Sequence, residues 1–114
     1  MHELGIMSSA VDAALAEARS RGAVRVHRVV LRIGALSGVD PDALRFAFET
    51  VTQNTPAADS ELEVNVVSAR IRCEACASDF SPEDRFIFSC PQCGGLSWDV
   101  REGREIELAR VEFS

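Results

Sequence analysis

The 114-residue chain contains no lysine and no tyrosine, and only two histidines, His2 and His27. All twelve of its basic residues are arginine. Without lysine there is no P-loop lysine and no Schiff-base chemistry, and two histidines leave few groups for general acid–base work. No apolar stretch approaches the length that spans a membrane. The opening residues, MHELGIMSSA, have neither the basic start nor the apolar run of a secretion signal, so a cytoplasmic location is expected. A formal net charge of −6 argues against a phosphate-binding surface. These absences favour a binding or carrier protein over an enzyme.

What is present is a doubled pair of cysteines. Cys73, Cys76, Cys90 and Cys93 stand as C-x2-C-x13-C-x2-C, and there are no others. In a reducing compartment this spacing reads as a metal site rather than two disulfides. Four thiolates suit the tetrahedral preference of Zn2+ and leave no open position for water, which marks a structural centre. Iron in a rubredoxin-like arrangement is the competing occupant. In Cys90-Pro91-Gln92-Cys93-Gly94-Gly95, proline fixes the turn and glycine lets backbone N–H groups approach sulfur. Phe80, Phe86, Phe88 and Trp98 are expected to pack around the knuckles. The zinc-deaminase pattern is unmatched, since His2 and Glu3 are adjacent and Ser89, not proline, precedes Cys90. A zinc hydrolase fails on the closed shell. Residues 69–104 carry Arg70, Arg72, Arg85, Arg101 and Arg104 against Glu74, Asp79, Glu83, Asp84, Asp99 and Glu102. With four thiolates on zinc adding negative charge, the segment does not read as a nucleic-acid binder.

Hydrophobic periodicity supplies the rest. Leu4, Met7, Val11, Ala14, Leu15 and Ala18 form a helical stripe over residues 3–21, with Gly22 as the stop. Met7 reads as core filler, not as a soft ligand. Residues 24–36 alternate as a strand, with Val29, Leu31, Ile33 and Ala35 on one side. His27 shares that parity and is expected to be a partly buried or edge residue. Asp40-Pro41-Asp42 opens a second helix with cap, first position and dipole partner in order. Its stripe is Leu44, Ala47, Phe48 and Val51, and Asn54-Thr55-Pro56 ends it. Leu62, Val64 and Val66 mark a further strand, and an extended run through Ala69, Ile71 and Cys73 leads into the metal loop. Strands are expected again at 98–101 and 105–112. The expected class is α+β: a three-stranded sheet with two helices on it, plus an inserted zinc-ribbon-like subdomain. Residues 1–68 with 105–114 form the core domain and 69–104 the zinc-binding domain.

The first residues admit two readings. The bulk of His2 should prevent removal of Met1, leaving a free amine one residue before an imidazole. The amine, the His2 amide nitrogen and its ring Nδ1 can close two adjacent chelate rings. Glu3 could supply a further donor. Nitrogen-rich, near-planar coordination favours Ni(II) or Cu(II) over zinc. The alternative is an exposed terminal histidine, with Glu3 simply favouring the helix dipole.

Taken together, Met1-His2-Glu3-Leu4, R-I-G-A-L-S-G-V at 32–39, L-R-F-A-F-E at 44–49 and the doubled C-x-x-C resemble the HypA/HybF family of hydrogenase nickel-incorporation proteins. The resemblance covers essentially the whole chain. It implies a nickel metallochaperone for maturation of [NiFe]-hydrogenase, working with a HypB-type GTPase and the hydrogenase large subunit, as monomer or dimer. It maps the nickel ligand onto His2, with N-terminal backbone nitrogens including the Met1 amine. Glu3 matches a position implicated in partner docking or nickel binding, and Asp40 one that can lie close to the nickel. All four cysteines map onto zinc ligands. Some relatives carry histidines beside the C-x-x-C pairs; this chain has none there, which puts pH sensing by that route in doubt. A zinc-ribbon adaptor that joins proteins without metal transfer is the alternative reading.

Overall fold

The computed structural model describes residues 2–83 and 86–114, the side chain of His2 excepted. The chain divides into two compact units, one of Met1–Arg32, Val39–Asn65 and Glu107–Ser114, the other of Ile33–Gly38 and Val66–Ile106.

In the first unit, helix α1 spans His2–Ser20. Met7, Val11, Ala14 and Ala18 recur at helical spacing and are buried, while Leu15 is half-buried. Leu4, expected on the same stripe, is 50% exposed. Periodicity places a residue on a face but does not say where the opposing surface ends. The helix closes with Gly22 N donating to Arg19 O (3.0 Å) and Ala23 N to Ala18 O (2.9 Å), the paired bonds of a Schellman motif.

Strand β1, Val26–Gly34, is central in a sheet of order β2-β1-β6, with β2 at Glu61–Val67 and β6 at Ile106–Phe113. Val29, Leu31 and Ile33 are buried as the alternation predicts. Val26 and Val30, of opposite parity, are buried as well, because a central strand is covered on both faces. On that second face Arg28 gathers Glu61 (3.1 Å) and Glu63 (2.9 Å) from β2 and Glu112 (3.6 Å) from β6. His27 corrects its expectation: it is exposed, with Nε2 2.7 Å from Ser114 Oγ. It shares the parity of the core residues but sits at the strand's start, beyond the core.

Helix α2 spans Pro41–Val51 and packs against α1. Asp40 caps it, its Oδ1 accepting from Asp42 N at 2.9 Å. Leu44, Ala47 and Phe48 are buried and Val51 is half-buried. At the far end the buried Thr52 donates from Oγ1 to Phe48 O at 2.7 Å.

The second unit has its own sheet, order β4-β3-β5, formed by Arg70–Cys73 (β3), Ser78–Phe80 (β4) and Asp99–Glu102 (β5), with both neighbours antiparallel to β3. The extended run into the metal loop is thus a strand of a second sheet. A three-residue strand such as β4 is too short for alternation to announce it. Ile71, Cys73, Phe80, Phe88 and Cys90 make the core of this unit, flanked by Leu36 and Val100. Gly34 and Gly103 lie so close that a Cβ on Gly34 would stand 2.1 Å from Gly103 C. Two helices, a three-stranded sheet and an inserted cysteine-bearing sheet make this an α+β fold. Among the described residues no helix is long and apolar enough to cross a membrane.

Candidate metal centre

The two cysteine knuckles have the same backbone geometry. Ala77 N donates to Cys73 O and Gly94 N to Cys90 O, both at 2.8 Å, and both fifth residues are left-handed, with φ of 56° at Ala77 and 74° at Gly94. The first knuckle joins β3 to β4. The second caps a hairpin: Ser89 pairs with Leu96, flanked by Cys90 N to Gly95 O (2.8 Å) and Ser97 N to Phe88 O (3.1 Å). Each knuckle contributes one buried sulfur, Cys73 or Cys90, and one exposed, Cys76 or Cys93.

All four sulfurs lie within 4.8 Å of one another. Across the knuckles, Cys73 Sγ is 3.6 Å from Cys93 Sγ and Cys76 Sγ is 3.7 Å from Cys90 Sγ. A tetrahedron with metal–sulfur bonds of about 2.3 Å has edges of about 3.8 Å. The donor set therefore fits one tetrahedral cation bound by Cys73, Cys76, Cys90 and Cys93, which would tie the two knuckles together. Four protein sulfurs would complete its shell.

Groups around the sulfurs tune them. The Gly95 N–H points at Cys93 Sγ (3.4 Å), and Ser78 Oγ sits 3.0 Å from Cys76 Sγ while donating to Gln92 Oε1 at 3.3 Å. Ser78 thus touches both knuckles; its only mark in the sequence is its place two residues after Cys76. The backbone N–H of Cys93, helped by that of Gln92, pulls the Cys90 thiol down to about 6 against the opposing effect of burial. At Cys93 the Gly95 amide pulls downward but is outweighed. Sulfur contacts, first with Cys73, together with burial push that thiol up to about 11. Negative charge is thus shared unequally among crowded sulfurs, a repulsion that a bound cation would relieve.

Behind the centre, arginines and carboxylates clamp the small sheet. Arg70 bonds Asp79 (2.5 Å) and Glu102 (2.9 Å), and Arg72 also reaches Asp79 (3.3 Å). These two arginines, Arg70 foremost, hold the Asp79 carboxyl below its ordinary range. Ser97 Oγ donates to Arg72 O, joining the hairpin to β3. Two aromatic expectations need correcting. Phe80 and Phe88 are buried beside the knuckles, but Phe86 is 75% and Trp98 65% exposed, Trp98 touching Phe88 with ring centroids 5.7 Å apart. Composition marks aromatics as core candidates, but Trp98 lies against the buried Phe88 with most of its own surface left to solvent.

At the other candidate site, Met1 and the His2 side chain lie outside the described residues. The backbone of His2 begins α1. Glu3 and Asp40 are brought together: Asp40 N donates to Glu3 Oε2 at 3.2 Å.

Comparison with known proteins identifies the family. Residues 1–113 match the family model described as "Hydrogenase/urease nickel incorporation, metallochaperone, hypA". The chain is 40% identical over 112 residues to "Hydrogenase maturation factor HypA" of Picosynechococcus sp., covering 98% of each chain. To the protein of the same name from Acidithiobacillus ferrooxidans it is 39% identical, with the same coverage. Its fold is similar to the solution structure of the Ni metallochaperone HypA from Helicobacter pylori, with a TM-score of 0.66 at 26% identity, covering 99% of this chain and 97% of that one. With a match from end to end and the four-cysteine cluster in place, the chain belongs to the HypA family of nickel-incorporation metallochaperones and is a maturation factor, not an enzyme.

Proposed function

We propose that the chain binds Ni(II) at its N-terminus and delivers it during maturation of [NiFe]-hydrogenase, while a zinc ion held by Cys73, Cys76, Cys90 and Cys93 staples the outer module. The Met1 amine, the amide nitrogen of His2 and its imidazole Nδ1 hold the cargo, with Glu3 and Asp40 close by. The observation that carries this reading is the family match across residues 1–113, which includes Met1-His2-Glu3 as well as the cysteines. Chemistry supports the division of labour. Nitrogen donors at a chain end suit Ni(II) and allow it to exchange, whereas four sulfurs in a closed shell suit zinc and resist transfer. The amides of His2 and Glu3 lie in the first turn of α1. A carboxylate at Glu3 offsets the positive helix end that would otherwise repel a cation.

In this scheme residues 1–68 with 105–114 are the nickel-binding domain and 69–104 the zinc-binding domain. Recipients are a HypB-type GTPase and the hydrogenase large subunit or its maturation complex, in the cytoplasm. The test is hydrogenase activity in cells whose only copy carries an N-terminal tag blocking the Met1 amine. Loss of nickel-dependent activity is expected, with recovery once the tag is cleaved back to Met1. A second reading, a zinc-ribbon adaptor without metal transfer, draws on the exposed Phe86, Ile87, Leu96 and Trp98 of the cysteine unit. It predicts full activity from the tagged chain.

A further inference from the structure

On its outer side the small sheet of the cysteine unit gathers arginines. Ile71 pairs with Phe80, and both turn into the core of the unit. Arg72 pairs with Asp79 on the opposite face, where Arg70 reaches Asp79 as well. Strand β5 adds to that face through a β-bulge. Ile71 pairs with Val100 but Arg70 with Glu102, so Arg101 and Glu102 together oppose the single residue Arg70. A bulge re-aims side chains, and here both residues come to the side of Arg70. Glu102 accepts from Arg70 at 2.9 Å, and Arg101 joins Arg70, Arg72 and Asp79 in lining a cleft of about 320 Å3.

The three arginines are not used alike. Arg70 gives Nε and Nη2 to Glu102 and Nη1 to Asp79, and so ties β5 to β4 across β3. Arg72 gives one bond, from Nη1 to Asp79 at 3.3 Å. Arg101 also gives one, from Nη2 to Asp99, two positions away on its own strand. A guanidinium carries five N–H donors, and among the described residues these two arginines have no further partner. Holding the sheet together is therefore the task of Arg70. Arg72 and Arg101 remain 41% and 50% exposed, with donors unspent.

Three cations and one anion line this cleft, in a chain whose formal net charge is −6. At physiological salt, charges farther apart than about 8 Å are largely screened, so acids elsewhere do not cancel the local excess. Guanidinium forks match carboxylates and phosphates alike, and Asp79 decides between them. Arg70 foremost, then Arg72, keep its carboxyl ionised. A compact phosphate would set its whole charge, nearly two units, beside that carboxylate. An acidic peptide segment instead divides its charge, one carboxylate to Arg72 and another to Arg101. The cleft is also open along the sheet face, unlike the enclosed pockets that small molecules occupy. We propose that the arginine cleft of Arg70, Arg72 and Arg101 is a docking site for an acidic, Asp/Glu-bearing segment of a partner protein. The segment's carboxylates take the unspent donors of Arg72 and Arg101, while Arg70 keeps its bonds to Glu102 and Asp79. Nickel plays no part in this docking, and the N-terminal site can fail without affecting it.

The experiment is fluorescence anisotropy of a fluorescein-labelled oligoglutamate peptide titrated with the full, metal-loaded chain at about 0.15 M salt. Expected is saturable binding that Arg72→Gln and Arg101→Gln each weaken at least about fivefold, with metal content unchanged. Arg45→Gln, the same loss of charge on the exposed side of α2, alters it less than about twofold. Asp79→Asn removes the competing carboxylate and tightens binding at least about twofold, the opposite of what loss of a merely structural contact would do. On the native chain, the side-chain N–H signals of Arg72 and Arg101 in NMR shift as peptide is added, a readout needing no variant to fold. Absence of binding overturns the proposal, as do signals of Arg72 and Arg101 that stay in place. So does an equal loss in Arg45→Gln, or weaker binding in Asp79→Asn. Displacement of the peptide by an equal concentration of inorganic phosphate overturns it too, and makes the cleft a phosphate site.

Discussion

The carboxylate of Glu3 accepts a hydrogen bond from the backbone N–H of Asp40, 3.2 Å away and 37 positions along the chain. It ties the first turn of α1 to the cap of α2. Two residues that the family resemblance places near the nickel are thereby fixed to one another by ordinary helix-end chemistry. Replacing Glu3 with alanine is expected to cost about 1 kcal/mol in chemical denaturation. Glu3→Gln, which keeps an acceptor oxygen, should recover most of that loss. If both variants unfold together, the carboxylate's charge and not its hydrogen bond is what matters.

Asp40 has a second task that needs no metal. Its Oδ1 caps α2 through Asp42 N. Asp40→Ala should therefore destabilise the chain by about 1 kcal/mol, and Asp40→Asn by a few tenths at most, since Asn caps as well as Asp. Thermal melts without nickel decide it: equal stability of the alanine and asparagine variants would contradict the capping role.

Ala77 holds a left-handed φ of 56° at the position that Gly94 fills in the other knuckle. An L-residue pays about 1–2 kcal/mol there, partly offset because alanine has less freedom than glycine to lose on folding. Ala77→Gly is expected to stabilise the cysteine unit by about 0.5–1 kcal/mol, read as a higher denaturant midpoint. Destabilisation would mean that the Ala77 methyl makes contacts outweighing the strain.

Gly34→Ala should do the reverse. Its Cβ would fall 2.1 Å from the Gly103 carbonyl carbon and 2.5 Å from Arg104 N, backbone that cannot swing aside. A cost of about 3 kcal/mol or more is expected, visible as loss of soluble folded protein or a large fall in melting temperature. A near-neutral outcome would show that this backbone approach is looser than 2.1 Å.

Acid and chelation should act on the same unit. Thiolates must be deprotonated to hold a metal, so acidification releases it. Asp79 adds to the same trend. Arg70, then Arg72, hold its folded carboxyl below the ordinary range, so its contribution is present above that range and lost as pH falls through the folded value. Melting temperature should drop between neutral pH and about pH 4 as the metal is released, and further below about pH 4 as Asp79 protonates, and a chelator at neutral pH should reproduce the larger part of the fall. Asp79→Asn should remove only the chelator-independent part. A stability unchanged by chelation would contradict the metal's structural role.

Much of the first unit was legible because its elements obey long periodic patterns. Met7, Val11, Ala14 and Ala18 announce α1, and Asp40-Pro41 fixes where α2 begins. The four cysteines announce a metal centre by spacing alone, and the structure brings their sulfurs within 4.8 Å. Less visible was whatever depends on short-range geometry or on neighbours distant in sequence. Strand β4 is too brief for a pattern, so the second sheet was not foreseen. His27 and Leu4 have the right parity but stand at element ends. Trp98 and Phe86 are aromatic, which suggests core, yet both keep most of their surface exposed, Trp98 while lying against Phe88. The Glu3–Asp40 contact joins elements whose relative placement no local pattern encodes.

The central claim is the N-terminal nickel site, and the most direct measurement is a Ni(II) titration of untagged protein followed by absorption and circular dichroism. Native chain is compared with His2→Ala and with a chain carrying one residue inserted between Met1 and His2. The account predicts one Ni(II) per chain in native protein with the spectrum of a near-planar d8 ion. That signal should be lost in both variants while the cysteine-bound metal is retained. Equal nickel affinity and the same spectrum in native and inserted chains would contradict it.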